Sequence, residues 1–180
     1  MLPALGSAAL LGAVAFAGTP ATALAQSTAT ASLSNSDSAF MMKTGQGSAY
    51  EAALSELGIE RATSPMVREY AQALALDHAT YNVGLLNLAN RYRVVIPVQL
   101  DPSDTKRLDG LMKVSASGFD AAFLAEEARV NAADIADESK EIDSTQVAEI
   151  KTFVSDVQTG DRFHLSLAQN LTHGSTAASS

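Results

Sequence analysis

Residues 64–92, SPMVREYAQALALDHATYNVGLLNLANRY, contain the clearest hydrophobic pattern in the chain and decide its fold class. Apolar and aromatic side chains recur there at steps of three and four residues, which is the spacing of one face of an α-helix. This stripe consists of Val67, Tyr70, Leu74, His78, Tyr81, Leu85, Leu88 and Tyr92. The stretch predicts a helix with Ser64 as N-cap and Pro65 at its first position. It also places an imidazole on the apolar face, where a buried polar ring needs a partner.

Three further segments repeat apolar residues with the same helical spacing. The first runs from residue 37 or 38, the expected N-cap, to about residue 62, and the others begin near residues 117 and 144. A short helix is expected at about residues 103–112, inside the connection that precedes the third long helix. No stretch alternates with period two for long. The pattern therefore predicts an all-α protein, a four-helix bundle with a short extra helix between its second and third helices.

The two ends of the chain differ in composition from this domain, which we place at residues 38–172. Residues 1–25 carry no charge and join an apolar run at 5–17 to a small-residue site ending at Ala25, which predicts a secretory signal peptide. A membrane anchor is the alternative, but the run is shorter than the roughly 18 residues of a membrane span. Residues 26–37 and 173–180 are rich in Ser, Thr and Ala, so we expect a flexible linker and a disordered tail.

The charge balance excludes several classes of function. The chain has 12 basic and 20 acidic residues, a net charge of −8 and no cluster of Lys and Arg, so we expect no nucleic-acid partner. It has no Cys, which excludes disulfides, thiolate chemistry and a lipoprotein anchor. Residues 134–143, DIADESKEID, are strongly acidic, and we interpret them as a solvated helix end and loop.

Five polar residues on the predicted helices are candidate metal ligands: Glu51, His78, Glu127, Asp161 and His164. In bundle cores, carboxylates and imidazoles from four helices bind iron or manganese. Asp161 and His164 are three residues apart, so they lie on the same face of one helix. The pattern departs from a full di-metal centre, because Ala75 stands three residues before His78, where the Glu-x-x-His motif has its glutamate.

The helix order decides whether His78 and His164 can share a site. The segment SPMVREY at 64–70 is similar to STQVAEI at 144–150. If the second and fourth helices run parallel in that register, the two histidines are six residues apart along the axis, or roughly 9 Å. If the long connection at residues 93–117 crosses over instead, these helices are antiparallel and both histidines can lie at one level. The sequence leaves both arrangements open.

Three interpretations of the polar core residues compete. The first is a metal site, and the second is a set of hydrogen-bonded core residues that fix the packing of the helices. The third is a pH sensor, because imidazole titrates near neutral pH. No nucleophile-elbow motif occurs in the chain, so we expect binding rather than turnover.

The order and spacing of several residues resemble those of the bacterial family catalogued as domain of unknown function 4142. The resemblance covers about residues 39–171 and rests on Phe40, Glu51, Asp77, His78, Pro97, Phe119, Asp120, Phe123, Leu124 and His164. Members of that family are exported and adopt a ferritin-like bundle, so the resemblance implies both properties here. The family typically has a histidine late in the third long helix, and the matching residue in this chain is Asn131.

These observations predict an exported, ferritin-like four-helix bundle that is periplasmic, secreted or associated with the outer membrane. We expect no transmembrane segment after signal cleavage, and a protein partner or a homo-oligomer is compatible with the sequence. The expected role is binding or protection against envelope stress, the latter by analogy with ferritin-like proteins alone. The alternative is a redox or storage protein that holds iron or manganese on the five candidate ligands.

Overall fold

The computed structural model describes residues 33–177, whose regular structure is all α-helix. The helices are α1 (Asn35–Arg61), α2 (Pro65–Tyr92), α3 (Pro102–Met112), α4 (Ala116–Ser144) and α5 (Ala148–Ala177). The four long helices form a bundle, and the short α3 lies in the connection between α2 and α4. The predicted bundle with one extra helix is confirmed. None of the described helices is long and apolar enough to cross a membrane, and the predicted signal peptide lies outside the described residues.

Contacts along the helices define their directions. The bundle consists of two hairpins, α1 with α2 and α4 with α5. Tyr70, early in α2, donates to the carbonyl of His164 late in α5. Arg91, at the end of α2, pairs with Glu149 at the start of α5. The helices α2 and α5 are therefore antiparallel, and α2 and α4 are parallel.

The connection between α2 and α4 must consequently run the length of the bundle. Residues 93–115, including α3, form this connection. A single long crossover is the topology of ferritin-like bundles. This arrangement answers the question of helix order that the sequence left open, because it allows His78 and His164 to lie at one level.

Two apolar clusters fill the ends of the bundle, and polar side chains lie between them. One cluster is built around Leu54, Leu74, Phe119 and Phe123, and the other around Met41, Leu85, Ile150 and Val154. Burial of each such side chain stabilises the fold by roughly 1.5–3 kcal/mol. On α2 the polar layer falls at His78, between Leu74 and Leu85 of the two clusters.

The ends of the helices differ from the predicted boundaries. Ser34, not residue 37 or 38, is the N-cap of α1, because it forms a capping box with Asp37. The Ser34 hydroxyl accepts from the Asp37 amide at 3.0 Å, and the Asp37 carboxylate accepts from the Ser34 amide at 2.9 Å. Residues 35–37 of the predicted linker therefore belong to α1, and residues 26–32 lie outside the described part of the chain. The last helix continues to Ala177, five residues past the predicted end of the domain at residue 172.

The acidic run at residues 134–143 is not a solvated helix end and loop. It lies inside α4, which continues to Ser144, and Glu138 and Glu141 are each only 5% exposed. The carboxyl of Glu138 interacts with that of Asp161 on α5, and the carboxyl of Glu141 with that of Asp37 on α1. The prediction was wrong because a charged residue on a helix surface is usually solvated, whereas here two neighbouring helices supply polar partners.

The start of α2 depends on a residue from another helix. Ser64 occupies the N-cap position with Pro65 after it, as predicted, but its side chain forms no capping hydrogen bond. Asp120 of α4 accepts instead from the backbone amides of Thr63 and Ser64, at 2.9 and 2.8 Å, and from the Thr63 hydroxyl at 2.7 Å. This carboxylate satisfies backbone donors that a helix start leaves free.

Candidate metal site in the bundle core

Two histidines and an aspartate meet in the polar layer. His78 on α2 and the pair Asp161 and His164 on α5 each offer one ligand atom, and these atoms all lie within 4.8 Å of one another. All three residues are buried. The pair shares a face because its members are three residues apart, and the antiparallel packing of α2 on α5 brings His78 to it. Donors on one ion lie at most about 4.2 Å apart, twice a ~2.1 Å bond, so a small contraction accommodates an ion.

The hydrogen bonding of the histidines leaves two ring nitrogens available. Nε2 of His164 lies 3.0 Å from Oδ2 of Asp77, so the carboxylate accepts the Nε2 proton and Nδ1 keeps its lone pair. Within the described part of the chain, Nδ1 of His164 and Nε2 of His78 have no hydrogen-bond partner. A histidine that binds a metal through one ring nitrogen usually donates the N–H of the other to a carboxylate or a similar acceptor. The aspartate that precedes His78 in sequence thus orients the other histidine.

Two buried glutamates, Glu51 and Glu127, belong to the same layer. Oε2 of Glu51 lies 3.8 Å from Nε2 of His78. Burial, together with the charge of nearby Glu127, raises the pKa of Glu51 well above its usual value. Burial and then the charges of Glu126 and Asp161 do the same to the pKa of Glu127. Buried acids of like charge disfavour one another's ionised forms, and a divalent cation would relieve this repulsion.

Burial shifts the pKa values of three residues in this layer: His78, Asp161 and Glu138. Burial lowers the pKa of His78 to about 4, which keeps its ring neutral at pH 7, the form that binds metals. Burial raises the pKa of Asp161 to about 7. It also raises the pKa of Glu138 to about 9, with the charge of Asp161 as the next cause. Burial thus disfavours the ionised form of both acids.

Two tyrosines hold α2 against α5 around the site. The hydroxyl of Tyr70 donates to the backbone oxygen of His164 at 3.1 Å. The ring of Tyr81 packs edge-on against His78, with 5.8 Å between ring centroids. Tyr81 also covers Gly160, where an added Cβ would lie 1.8 Å from its hydroxyl oxygen. Glycine at position 160 thus permits the close approach of α2 beside Asp161.

The structure places all five predicted ligands in one layer. His78, Asp161 and His164 form the compact cluster, Glu51 lies beside it, and Glu127 interacts with it through charge. Asn131, which stands where the resembled family has a histidine, donates to the backbone oxygen of Glu127 at 2.8 Å.

Sequence reasoning missed three residues of this region: Asp77, Asp134 and Glu138. Asp77 was named with His78 among the residues of the family resemblance, but it was not predicted as a ligand. The other two belong to the acidic run that we interpreted as solvated. Their four-residue spacing places them on one helix face, but it does not indicate that this face is buried.

The fold and these side chains define an all-helical, four-helix bundle with a buried histidine–carboxylate cluster. The family model described as domain of unknown function (DUF4142) matches residues 22–171. The chain belongs to this family, which confirms the resemblance found in the sequence.

Two solved structures share the fold. A DUF305 fragment from Deinococcus radiodurans has a TM-score of 0.70 at 14% identity, covering 78% of this chain and 97% of that one. A hypothetical protein from Methanococcus jannaschii has a TM-score of 0.67 at 15% identity, covering 80% of this chain and 83% of that one. A comparison with curated proteins gives no match. At these identities the likeness shows the fold alone.

Proposed function

We propose that the protein binds one divalent transition-metal ion in its bundle core, through His78, Asp161 and His164. The observation that carries this proposal is the convergence of two buried imidazole nitrogens without hydrogen-bond partners on one carboxylate. Leaving a buried polar atom unpaired costs about 1–3 kcal/mol. A bound ion offsets that cost at both histidines and also compensates the charge of the surrounding acids.

The donor set favours iron or manganese. Two imidazoles and one carboxylate with open positions are typical of non-haem Fe(II). The nearby Glu51 and Glu127 add oxygen ligands of the kind that Mn(II) prefers. One ion for each chain suits a redox or metal-holding role better than bulk storage. Ala75 occupies the place of the second helix's glutamate, which agrees with a single ion rather than a pair.

Metal content of the purified protein tests this function. We expect about one equivalent of iron or manganese in the wild type expressed with iron and manganese supplied and zinc withheld, because Zn²⁺ binds such a site more tightly than either ion. The variants His78→Gln and His164→Gln should retain little metal, because each removes one imidazole donor. His173→Gln is the control, since His173 lies on the same helix outside the cluster. A wild type that takes up no Fe²⁺ or Mn²⁺, even after anaerobic incubation, would contradict the proposal.

A second candidate function is a metal-free bundle that acts by binding a protein partner, with a role in envelope stress. The 3.0 Å hydrogen bond from His164 to Asp77 favours it, because this bond gives Nε2 of the ring a partner without any metal ion. Exposed apolar side chains, among them Leu76, Val83 and Phe163, would contact the partner. Metal-free wild type together with a less heat-stable His164→Gln variant would support this function over the first.

We further propose that the protein is exported. The uncharged apolar segment and the small residues Ala23 and Ala25 support this proposal. Cell fractionation and mass spectrometry test it, and we expect the exported chain to begin at Gln26. The double substitution Ala23→Leu/Ala25→Leu should block cleavage. An uncleaved wild-type chain in the cytoplasm would overturn the proposal.

A further inference from the structure

A cavity of about 320 Å³ leads from the surface to the histidine–carboxylate cluster. Its inner wall includes Glu51, His78 and Asp161, each buried. Its outer wall includes Lys43 and Arg129, whose side chains are 67% and 47% exposed. The cavity thus connects solvent with the atoms that we assign to the metal. Its volume exceeds that of six waters, at ~30 Å³ for each water.

The charges of the cavity wall select for cations. Seven acidic and three basic side chains line it. Each basic side chain already pairs with an acid: Lys43 with Asp137, Arg107 with Asp104, and Arg129 with Glu126. Within residues 33–177, Glu51, Asp134 and Glu138 form no ion pair with a lysine or an arginine. The wall therefore presents carboxyl groups that are not paired directly with a base and that can supply oxygen ligands to a cation.

The carboxyl groups follow one another from the mouth to the cluster. Asp137 lies at the mouth with 29% of its side chain exposed. Asp134 and Glu138 are one helical turn apart on α4 and line the interior. The carboxyl of Glu138 interacts with that of Asp161, which belongs to the cluster. A cation that enters the cavity can thus replace its bound waters stepwise with carboxyl oxygens as it moves toward the cluster.

We propose that this cavity is the path by which a hydrated divalent cation reaches the cluster, with Asp134 and Glu138 binding it in transit. The inference rests on the proposed function, since it names the route to the same metal site. The cavity and the unpaired atoms at its inner end, Nε2 of His78 and Oε2 of Glu51, are independent observations that point to the same ligand.

A glycine in the wall allows the path to be blocked. Gly47 lines the cavity, and a Cβ added there meets nothing within 4 Å. Gly47→Phe should therefore fold normally and fill part of the cavity. Gly110 on α3 is a matched control, because its added Cβ also meets open space and it does not line the cavity. Circular dichroism verifies that both variants are folded.

The measurement is the rate of Co²⁺ uptake by the full chain, followed by the visible absorption of the bound ion after rapid mixing. We expect Gly47→Phe to slow uptake about tenfold or more, since a filled cavity must open by local motion. Its final Co²⁺ content should equal that of the wild type, and Gly110→Phe should load at the wild-type rate. Uptake by Gly47→Phe at the wild-type rate would overturn the inference.

A charge variant tests the path independently of any change in shape. Asp134→Asn removes one negative charge from the cavity wall, and Asp156→Asn removes one from the exposed surface of α5. A unit charge ~8 Å from a divalent ion in water changes its attraction enough for about a fivefold slower uptake in Asp134→Asn. Equal rates in the two variants would reject the path. A wild type that never binds Co²⁺ would reject the proposed function itself.

Discussion

The substitution Asp77→Ala separates the metal site from a purely structural cluster. Oδ2 of Asp77 lies 3.0 Å from Nε2 of His164 and fixes the tautomer that leaves Nδ1 free for an ion. Loss of such a supporting carboxylate weakens metal binding about 10- to 100-fold, or roughly 1.4–2.7 kcal/mol. The Asp77 side chain is 45% exposed, so water replaces part of its hydrogen bonding. We therefore expect the lower end, about tenfold weaker binding of Mn²⁺.

The assay is a Mn²⁺ titration in which the free ion is measured by electron paramagnetic resonance. Asp77→Asn keeps an oxygen acceptor for His164 but removes the charge, so its affinity should fall between those of the wild type and Asp77→Ala. Glu69→Ala is the control, because Glu69 is an exposed acid on the same helix. If Asp77→Ala and Glu69→Ala bind Mn²⁺ as tightly as the wild type, Asp77 does not orient a ligand and the assignment of Nδ1 is refuted.

Three further predictions concern stability. Asp120→Ala should lower the free energy of unfolding in urea by about 1–2 kcal/mol, because the start of α2 loses its acceptor. The control Asp143→Ala, at an exposed site, should change the free energy of unfolding little. Equal losses in the two variants would contradict the capping role of Asp120. Gly160→Ala should cost about 1–3 kcal/mol in the same assay, since its Cβ would collide with Tyr81, and unchanged stability would contradict this packing. Burial and a neighbouring carboxylate raise the pKa of Glu141 from 4.5 to about 7. Ionisation is therefore harder in the folded state, and the stability from this group is lost as the pH rises from about 4.5 to 7. With a chelator present, the melting temperature of Glu141→Gln should fall less over this pH range than that of the wild type. The same pH dependence of the melting temperature in both proteins would contradict the raised pKa of Glu141.

Local sequence patterns predicted the helices well, because the periodicity of each helix depends only on residues within that helix. The stripe from Val67 to Tyr92 predicted the buried face of α2, and it placed His78 correctly on that face. Proline at position 65 predicted where α2 begins. The start of α1 was misplaced because the sequence offers Ser34, Asp37 and Ser38 as competing caps, and only the capping box between the first two distinguishes them.

The acidic segment of α4 shows where such reasoning fails. Charged residues on a helix are usually solvated, and Asp134 and Glu138 follow no apolar stripe that would indicate burial. Their burial depends on Asp161 and the rest of the cavity wall, which belong to other helices. No local pattern contains that information.

The sequence by itself determined the class of fold, the family and the candidate polar residues of the core, since these follow from periodicity and residue identity along one chain. The tertiary structure alone decided which of these polar residues meet. The crossover at residues 93–115 makes α2 and α5 antiparallel, and this brings His78 level with Asp161 and His164. A parallel arrangement of the same helices would have separated the histidines by roughly 9 Å along the bundle axis. A site shared between helices depends on their direction and register, which are set by packing between distant segments rather than by the residues of either helix.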